Sequence, residues 1–139
     1  MHIMSRRLTA IAAVSAILVG CTPPPPVDAG HAGPYPENYK AAMADYIKTN
    51  FFDPYTLRDV KITKPFPARN GFGIGWGVCL TLNAKNRMGG YIGLDTDFYI
   101  VTGSRVEQQD RLVPFVGDQC AGQVGEPWPE MDSGTANAK

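Results

Sequence analysis

The sequence predicts an α+β domain: one N-terminal amphipathic helix packed on a small antiparallel sheet of about four strands, with one disulfide. Three observations carry that expectation. Apolar residues recur at helical spacing over residues 39–47, period-two runs follow between residues 60 and 108, and a pair of cysteines, Cys79 and Cys120, stands beyond the helix. A helix followed by a run of strands is the pattern of a helix laid on one face of an antiparallel sheet.

The helix is expected after Pro36 and Glu37, which suit a first turn. Tyr39, Ala42, Met43, Tyr46 and Ile47 fall on one face, and Lys40, Asp45 and Lys48 on the other. Asn50 and the Asp53-Pro54 pair end it, because the residue before a proline avoids the helical region. Phe51, Phe52 and Tyr55 crowd the next corner, which reads as a packed corner with a short helical turn at residues 54–57.

Four strands follow. Val60 to Lys64 alternates, and Pro65 limits it to an edge or an end. Residues 71–82 alternate glycine with bulky apolar groups, so Phe72, Ile74, Trp76, Val78, Leu80 and Leu82 share one face. The opposite face carries glycine until Cys79 and Thr81. Residues 86–90 make a turn, Tyr91 to Val101 form the third strand, and Thr102-Gly103-Ser104 leads into a fourth near residues 105–108. The helix is expected on the bulky face. Leu112 to Val116 would then cross the glycine face and bring Cys120 to Cys79, provided no bulge at a glycine shifts the register.

Outside this domain the chain divides further. Arg6 and Arg7 precede an uncharged apolar run, Leu8 to Val19, too short for an ordinary membrane span of about 20 residues. Residues 1–20 therefore read as a secretory signal, closed by Leu18-Val19-Gly20-Cys21. Residues 21–35, which open on a cysteine that resembles the lipidated cysteine of a bacterial lipobox, read as a tether, with Pro23 to Pro26 stiff and the rest small and flexible. The domain itself spans 36–124, and residues 125–139, polar and small, read as a disordered tail.

Removing residues 1–20 leaves 119 residues with 11 basic and 13 acidic side chains, a net of −2. That length suits one domain, and that balance gives no footprint for nucleic acid. In an oxidising compartment, with Cys21 lipidated, a Cys79–Cys120 disulfide is the default, and two reduced buried thiols are the rival state. Closing such a loop stabilises a fold by about 4 kcal/mol in the chain-entropy account.

The chemistry-bearing residues are few. No metal or other cofactor is expected, since two cysteines and one mature histidine make no credible zinc site. His31 lies in the tether, which removes a histidine-based triad from the folded domain. The glycine series lacks Gly-Lys-Ser/Thr, so it reads as close backbone approach inside a strand and not as a phosphate loop. Asp95 and Asp97 are a close carboxylate pair on a predicted strand, placed by alternation on one face, with a solvated edge as the plainer reading. The turn at residues 83–91 is the surface candidate. There Lys85, Asn86, Arg87 and Met88 would project from a hairpin end, where loops commonly carry function; the plainer reading is a hairpin that needs its glycines and polar groups to turn and to dissolve.

Two resemblances add to these readings. Leu18-Val19-Gly20-Cys21 resembles the lipobox of bacterial lipoproteins, which implies cleavage before Cys21 and acyl chains on that cysteine. Thr22 in place of aspartate then leans towards the outer membrane, with the periplasmic side as the expected face. Asp53-Pro54-Tyr55, Cys79, residues 83–86 and residues 89–93 resemble a group of small uncharacterised lipoproteins of Gram-negative, notably alphaproteobacterial, cells. That group has no established activity and implies no functional residue. The expectation is a membrane-anchored envelope protein that acts by binding or scaffolding an envelope partner, and not an enzyme. The alternatives are a tethered inhibitor or ligand-binding module using the hairpin at residues 84–90, and a carboxylate-based hydrolase.

Overall fold

The structure is a computed structural model and describes residues 26–71, 73–109 and 118–136. The signal and lipobox with Cys21, Phe72, the crossing segment Leu112–Val116 and the last three residues lie outside the described residues. Within them, helix α1 (Tyr39–Asn50) precedes strands β1 (Arg58–Ile62), β2 (Phe66–Asn70), β3 (Gly73–Lys85), β4 (Tyr91–Thr102), β5 (Arg105–Gln109) and β6 (Glu126–Pro127), and a four-residue helix α2 (Ser133–Ala136) closes the chain. Every strand pairing is antiparallel: the order is β5-β4-β3-β1-β6, with β2 on β3 beyond the end of β1. The architecture is α+β with one disulfide, as expected, but with six strands rather than about four.

The two extra strands have separate causes. No strand was expected at residues 66–70, which include Pro67; β2 pairs only with β3, and an edge strand tolerates proline. β6 is two residues long and carries no alternation. It forms because Glu126 and Pro127 lie against Ile62 and Lys61. The helix also has structure before it: residues 29–31 make a 3-10 turn capped by Asp28, whose carboxylate accepts from Gly30 N at 2.9 Å. α1 opens at Tyr39, three residues later than Pro36, whose carbonyl accepts from Tyr39 N.

The main core lies between α1 and one face of the sheet. Ala42, Met43 and Ile47 are buried against Val78, Leu80, Leu82, Tyr99 and Val101, with Tyr39 and Tyr46 packed at the margin. This is the helix face and the strand face that alternation assigned. At the helix end, Thr49 Oγ1 and Asn50 Nδ2 bond back to the carbonyls of Asp45 and Tyr46, and Phe51 N donates to Ile47 O.

The opposite face carries a second, smaller core: Ala68, Cys79, Phe98 and Ile100, with Phe66 and Cys120 against them. Cys79 is bonded to Cys120 across a separation of 41 residues. The β3–β4 register runs unbroken from Trp76 to Asn83, so no glycine bulge moves Cys79 off this face. Gly77 makes the packing possible, since a Cβ there would lie 2.6 Å from Ala68 Cβ and 2.7 Å from Phe98 Cε2. Thr63 splices the strand ends together, taking Cys79 N on its hydroxyl and giving its own N–H to Cys79 O.

The C-terminal segment corrects the reading of a disordered tail from residue 125. Trp128 is 3% exposed and belongs to the main core, and its N–H donates to Val60 O at 2.8 Å. Asp132 Oδ2 accepts from Val60 N, while Ser133 donates both its N–H and its hydroxyl to Leu57 O. Polar, small residues made this stretch look unstructured. One tryptophan and four hydrogen bonds to the β1 region hold it.

Candidate functional site

The end of the β3–β4 hairpin is built from an asparagine outward. Asn86 Oδ1 accepts from Met88 N at 3.0 Å and Gly90 N at 3.1 Å, and its backbone closes the turn with Gly89 N and Gly90 O. Gly89 takes φ +83°, a conformation that costs a side-chain-bearing residue and leaves glycine unstrained. Just beyond, β4 carries a bulge: Lys85 faces Tyr91 and Asn83 faces Leu94, with Gly93 at φ +96° and its N–H on Asn83 Oδ1.

A second element supports this end. Tyr91 reaches back to the loop between α1 and β1, where its hydroxyl donates to Thr56 O at 2.8 Å. Arg58 stacks over the same ring at 4.3 Å and Lys85 Nζ stands 5.3 Å from its centroid. Lys85 also meets Asp53 at 4.0 Å, and Asp53 accepts from Thr56 Oγ1. The turn is thus clamped to the loop at residues 53–56 by one hydrogen bond and one ion pair, with Arg58 of β1 stacked on the same tyrosine ring.

The four turn residues singled out from sequence therefore separate in role. Asn86 shapes the turn. Lys85 folds back onto Tyr91 and Asp53, its side chain only 27% exposed. Arg87 and Met88 project, Met88 being 95% exposed. Beside them stand apolar side chains that sequence reasoning did not single out. Ile92 and Leu94 are exposed on β4, and Phe52 (68%) and Tyr55 (78%) on the adjoining loop. Of the three aromatics at the corner after α1 only Phe51 packs on the core; Phe52 and Tyr55 face solvent, which corrects the reading of a packed corner.

Five of the seven large exposed hydrophobics among the described residues are carried by the loop after α1, the turn and the first residues of β4. Contiguous apolar exposure marks interaction surfaces, whereas single exposed residues are ordinary. Two shallow clefts flank these elements. One, about 450 Å³, lies between Lys48, Tyr55, Glu130 and Met131. The other, about 380 Å³, lies between Asp59, Lys61, Thr81 and Leu94.

Asp95 and Asp97 pair with Leu82 and Leu80, so they do share a face, on the helix side of the sheet. Neither lines a flanking cleft. Asp132 borders both clefts, but its two oxygens hold Val60 N and Gly134 N. Among the described residues no group of three or more His, Cys, Asp and Glu side chains is placed to hold a metal ion. His31 sits in the 3-10 turn, 3.5 Å from Asp28 and far along the chain from either cleft.

Tyr99 is the other unusual group. It is fully buried under Tyr46, and its hydroxyl has no hydrogen-bond partner among the described residues. Burial first, and then the charges of Asp97 and Asp95, push its ionisation well above the ordinary tyrosine range.

Comparisons with protein-family models, with curated proteins and with solved structures found no match for this chain.

Proposed function

We propose that this chain is a lipid-anchored envelope protein that acts by binding a protein partner through the end of the β3–β4 hairpin, without catalysing a reaction. One observation carries the reading. Met88 stands almost fully exposed on a turn that Asn86, Gly89 and the Tyr91–Thr56 bond hold in a single shape. Ordering a loop on binding costs affinity, and a turn ordered beforehand avoids that cost. Methionine, arginine and tyrosine are also side chains enriched at protein interfaces.

The anchor enters through Cys21. One acyl chain binds a membrane only marginally, at about 0.8 kcal/mol per buried CH₂, whereas two or three hold it stably. An anchored domain then meets its partner at the membrane, in keeping with a binding or scaffolding role. The inhibitor alternative uses the same turn and differs only in what the partner is.

The test is photo-crosslinking in growing cells from a benzoylphenylalanine placed at position 88 of the full chain. A discrete protein adduct is the expected result. Adducts with lipid or peptidoglycan fragments alone would overturn the reading. In parallel, Cys21→Ala should abolish metabolic labelling with a fatty acid, and label retained in that variant would remove the anchor.

A further inference from the structure

Among the described residues the sheet ends on β6, β2 and β5, and these edges are not alike. β6 is two residues long and ends in Pro127, and the C-terminal segment holds the Val60 backbone beside it through Trp128 N and Asp132. β2 carries Pro67. Proline has no N–H for a further ladder and commonly guards an edge. β5 has neither proline nor bulge. Its register with β4 runs unbroken from Thr102↔Arg105 to Phe98↔Gln109, and among the described residues no strand lies on its other side. It pairs with the end of β4 away from the turn at residues 86–90, so this edge is separate from the hairpin end.

The register also fixes which groups of β5 face outward. Gly103 and Ser104 form a two-residue turn between Thr102 and Arg105. In such a turn the N–H of the residue that follows donates to the carbonyl of the residue before it, so the Arg105 amide points at β4. Bonded and non-bonded positions alternate along an antiparallel pair. Glu107 and Gln109 therefore also face β4, and the N–H and carbonyl of Val106 and Gln108 point away from the sheet. Side chains alternate across the two faces as well. Val106 packs at the margin of the main core, which puts Arg105 and Glu107 together on the opposite face, where they form an ion pair.

This strand is complementary to itself. A second β5 laid antiparallel, with Val106 against Val106, lets those two residues exchange both backbone bonds. Arg105 of each copy then lies opposite Glu107 of the other, at the closer, non-hydrogen-bonded spacing, and the four charges alternate in sign. Moving the centre to either neighbouring residue sets Arg105 against Arg105 or Glu107 against Glu107, and like charges directly opposite are destabilising. The plainer role of charged side chains on an edge is to repel any added strand. Here one charge of each sign, two residues apart about an outward-bonding valine, selects one strand, its own copy. We infer that β5 is a homodimer edge at which two copies pair antiparallel about Val106 and join their sheets into one. Five residues make a short ladder, well below the area of a standard interface, so the dimer is weak and reversible and is captured in place.

The test places benzoylphenylalanine at position 108, an exposed position of β5, in the full chain in growing cells. An adduct of two copies, identified by mass spectrometry, is the expected result. Arg105→Glu and Glu107→Arg, each expressed alone, oppose like charges at both symmetric positions and should cut that adduct by about tenfold. Expressed together under different tags, the two variants should restore it as a mixed adduct, because each then meets the opposite charge on the other. An ion pair within one chain cannot produce that rescue, since both variants lack it. Thermal melts of the single variants should match the parent, because an exposed surface pair contributes little to folding; this separates lost pairing from lost folding. No two-copy adduct from the parent, or an adduct with another protein alone, overturns the homodimer edge. A two-copy adduct indifferent to both charge changes overturns the register about Val106. Failure of the mixed pair to restore the adduct overturns the charge pairing between copies.

Discussion

The Tyr91 hydroxyl donates to the Thr56 carbonyl across 35 residues of sequence, and this one bond joins the hairpin end to the loop after the helix. Tyr91→Phe keeps the ring under Arg58 and removes the bond. A part-buried hydrogen bond of this kind contributes about 1 kcal/mol. Urea unfolding of the variant should show a loss of that size. Amides of residues 86–93 should also exchange faster, because beyond its own bonds the turn would keep only the Lys85–Asp53 ion pair and the Arg58 stacking contact. Unchanged exchange there would mean that the turn is rigid without the clamp.

Gly77 tests the second core. A Cβ at this position meets Ala68 and Phe98 well inside contact distance, and both belong to paired strands that have little room to retreat. Gly77→Ala should destabilise the fold by about 1–3 kcal/mol, the usual range for overpacking. Gly71→Ala, with nothing within 4 Å of its Cβ, is the matched control and should be near neutral. Equal midpoints for the two variants in a thermal melt would show that the sheet yields at Gly77.

The alternation of residues 73–82 was sufficient to place Val78 and Leu80 under the helix and Cys79 on the other face, because one side of the strand has bulk and the other does not. The disulfide itself was expected from two cysteines in an oxidising compartment, and the parity added only which face Cys79 takes. What sequence did not show has a physical reason in each case. β2 contains proline and forms only because an edge position needs half the ladder bonds. Phe52 and Tyr55 looked like core residues, since apolar side chains after a helix usually turn inward. Here Phe51 takes the core position as the helix ends, leaving Phe52 outside. The clamp from Tyr91 to Thr56 spans two elements and leaves no local pattern, so it could not be read from spacing. The turn itself was legible through Asn86 and Gly89.

Trp128 carries much of what holds the C-terminal segment. Its side chain joins Val60, Ile62 and Leu57 in the main core, while β6 offers only two residues of pairing. Trp128→Ala should cost about 3–5 kcal/mol, as for other large buried aromatics. Because Asp132 and Ser133 depend on that placement to reach Val60 and Leu57, the variant should also expose residues 126–136 to limited proteolysis. A midpoint within about 0.5 kcal/mol of the parent, the range of ordinary surface changes, would restore the tail reading.

Tyr99 makes a prediction with a defined sign in pH. Its phenol is held neutral in the fold chiefly by burial, so its folded ionisation lies above the ordinary value of 10.0. Once unfolded, the same phenol ionises near that value. Below about pH 10 both states keep the proton and the group adds no slope. Above it the unfolded chain binds fewer protons, so stability falls with rising pH, by at most about 1.4 kcal/mol per unit for this one group. Tyr39, also shifted upward by burial, adds to the fall in the same direction. Tyr99→Phe removes the unpartnered hydroxyl, whose desolvation costs about 1–3 kcal/mol, and leaves the ring against Tyr46 in place. Urea midpoints should therefore rise in this variant at pH 7, and the decline between pH 10 and 11.5 should become shallower without vanishing. A variant less stable than the parent at pH 7 would show that the hydroxyl has a partner within the core, and an unchanged alkaline slope would assign the decline to other groups.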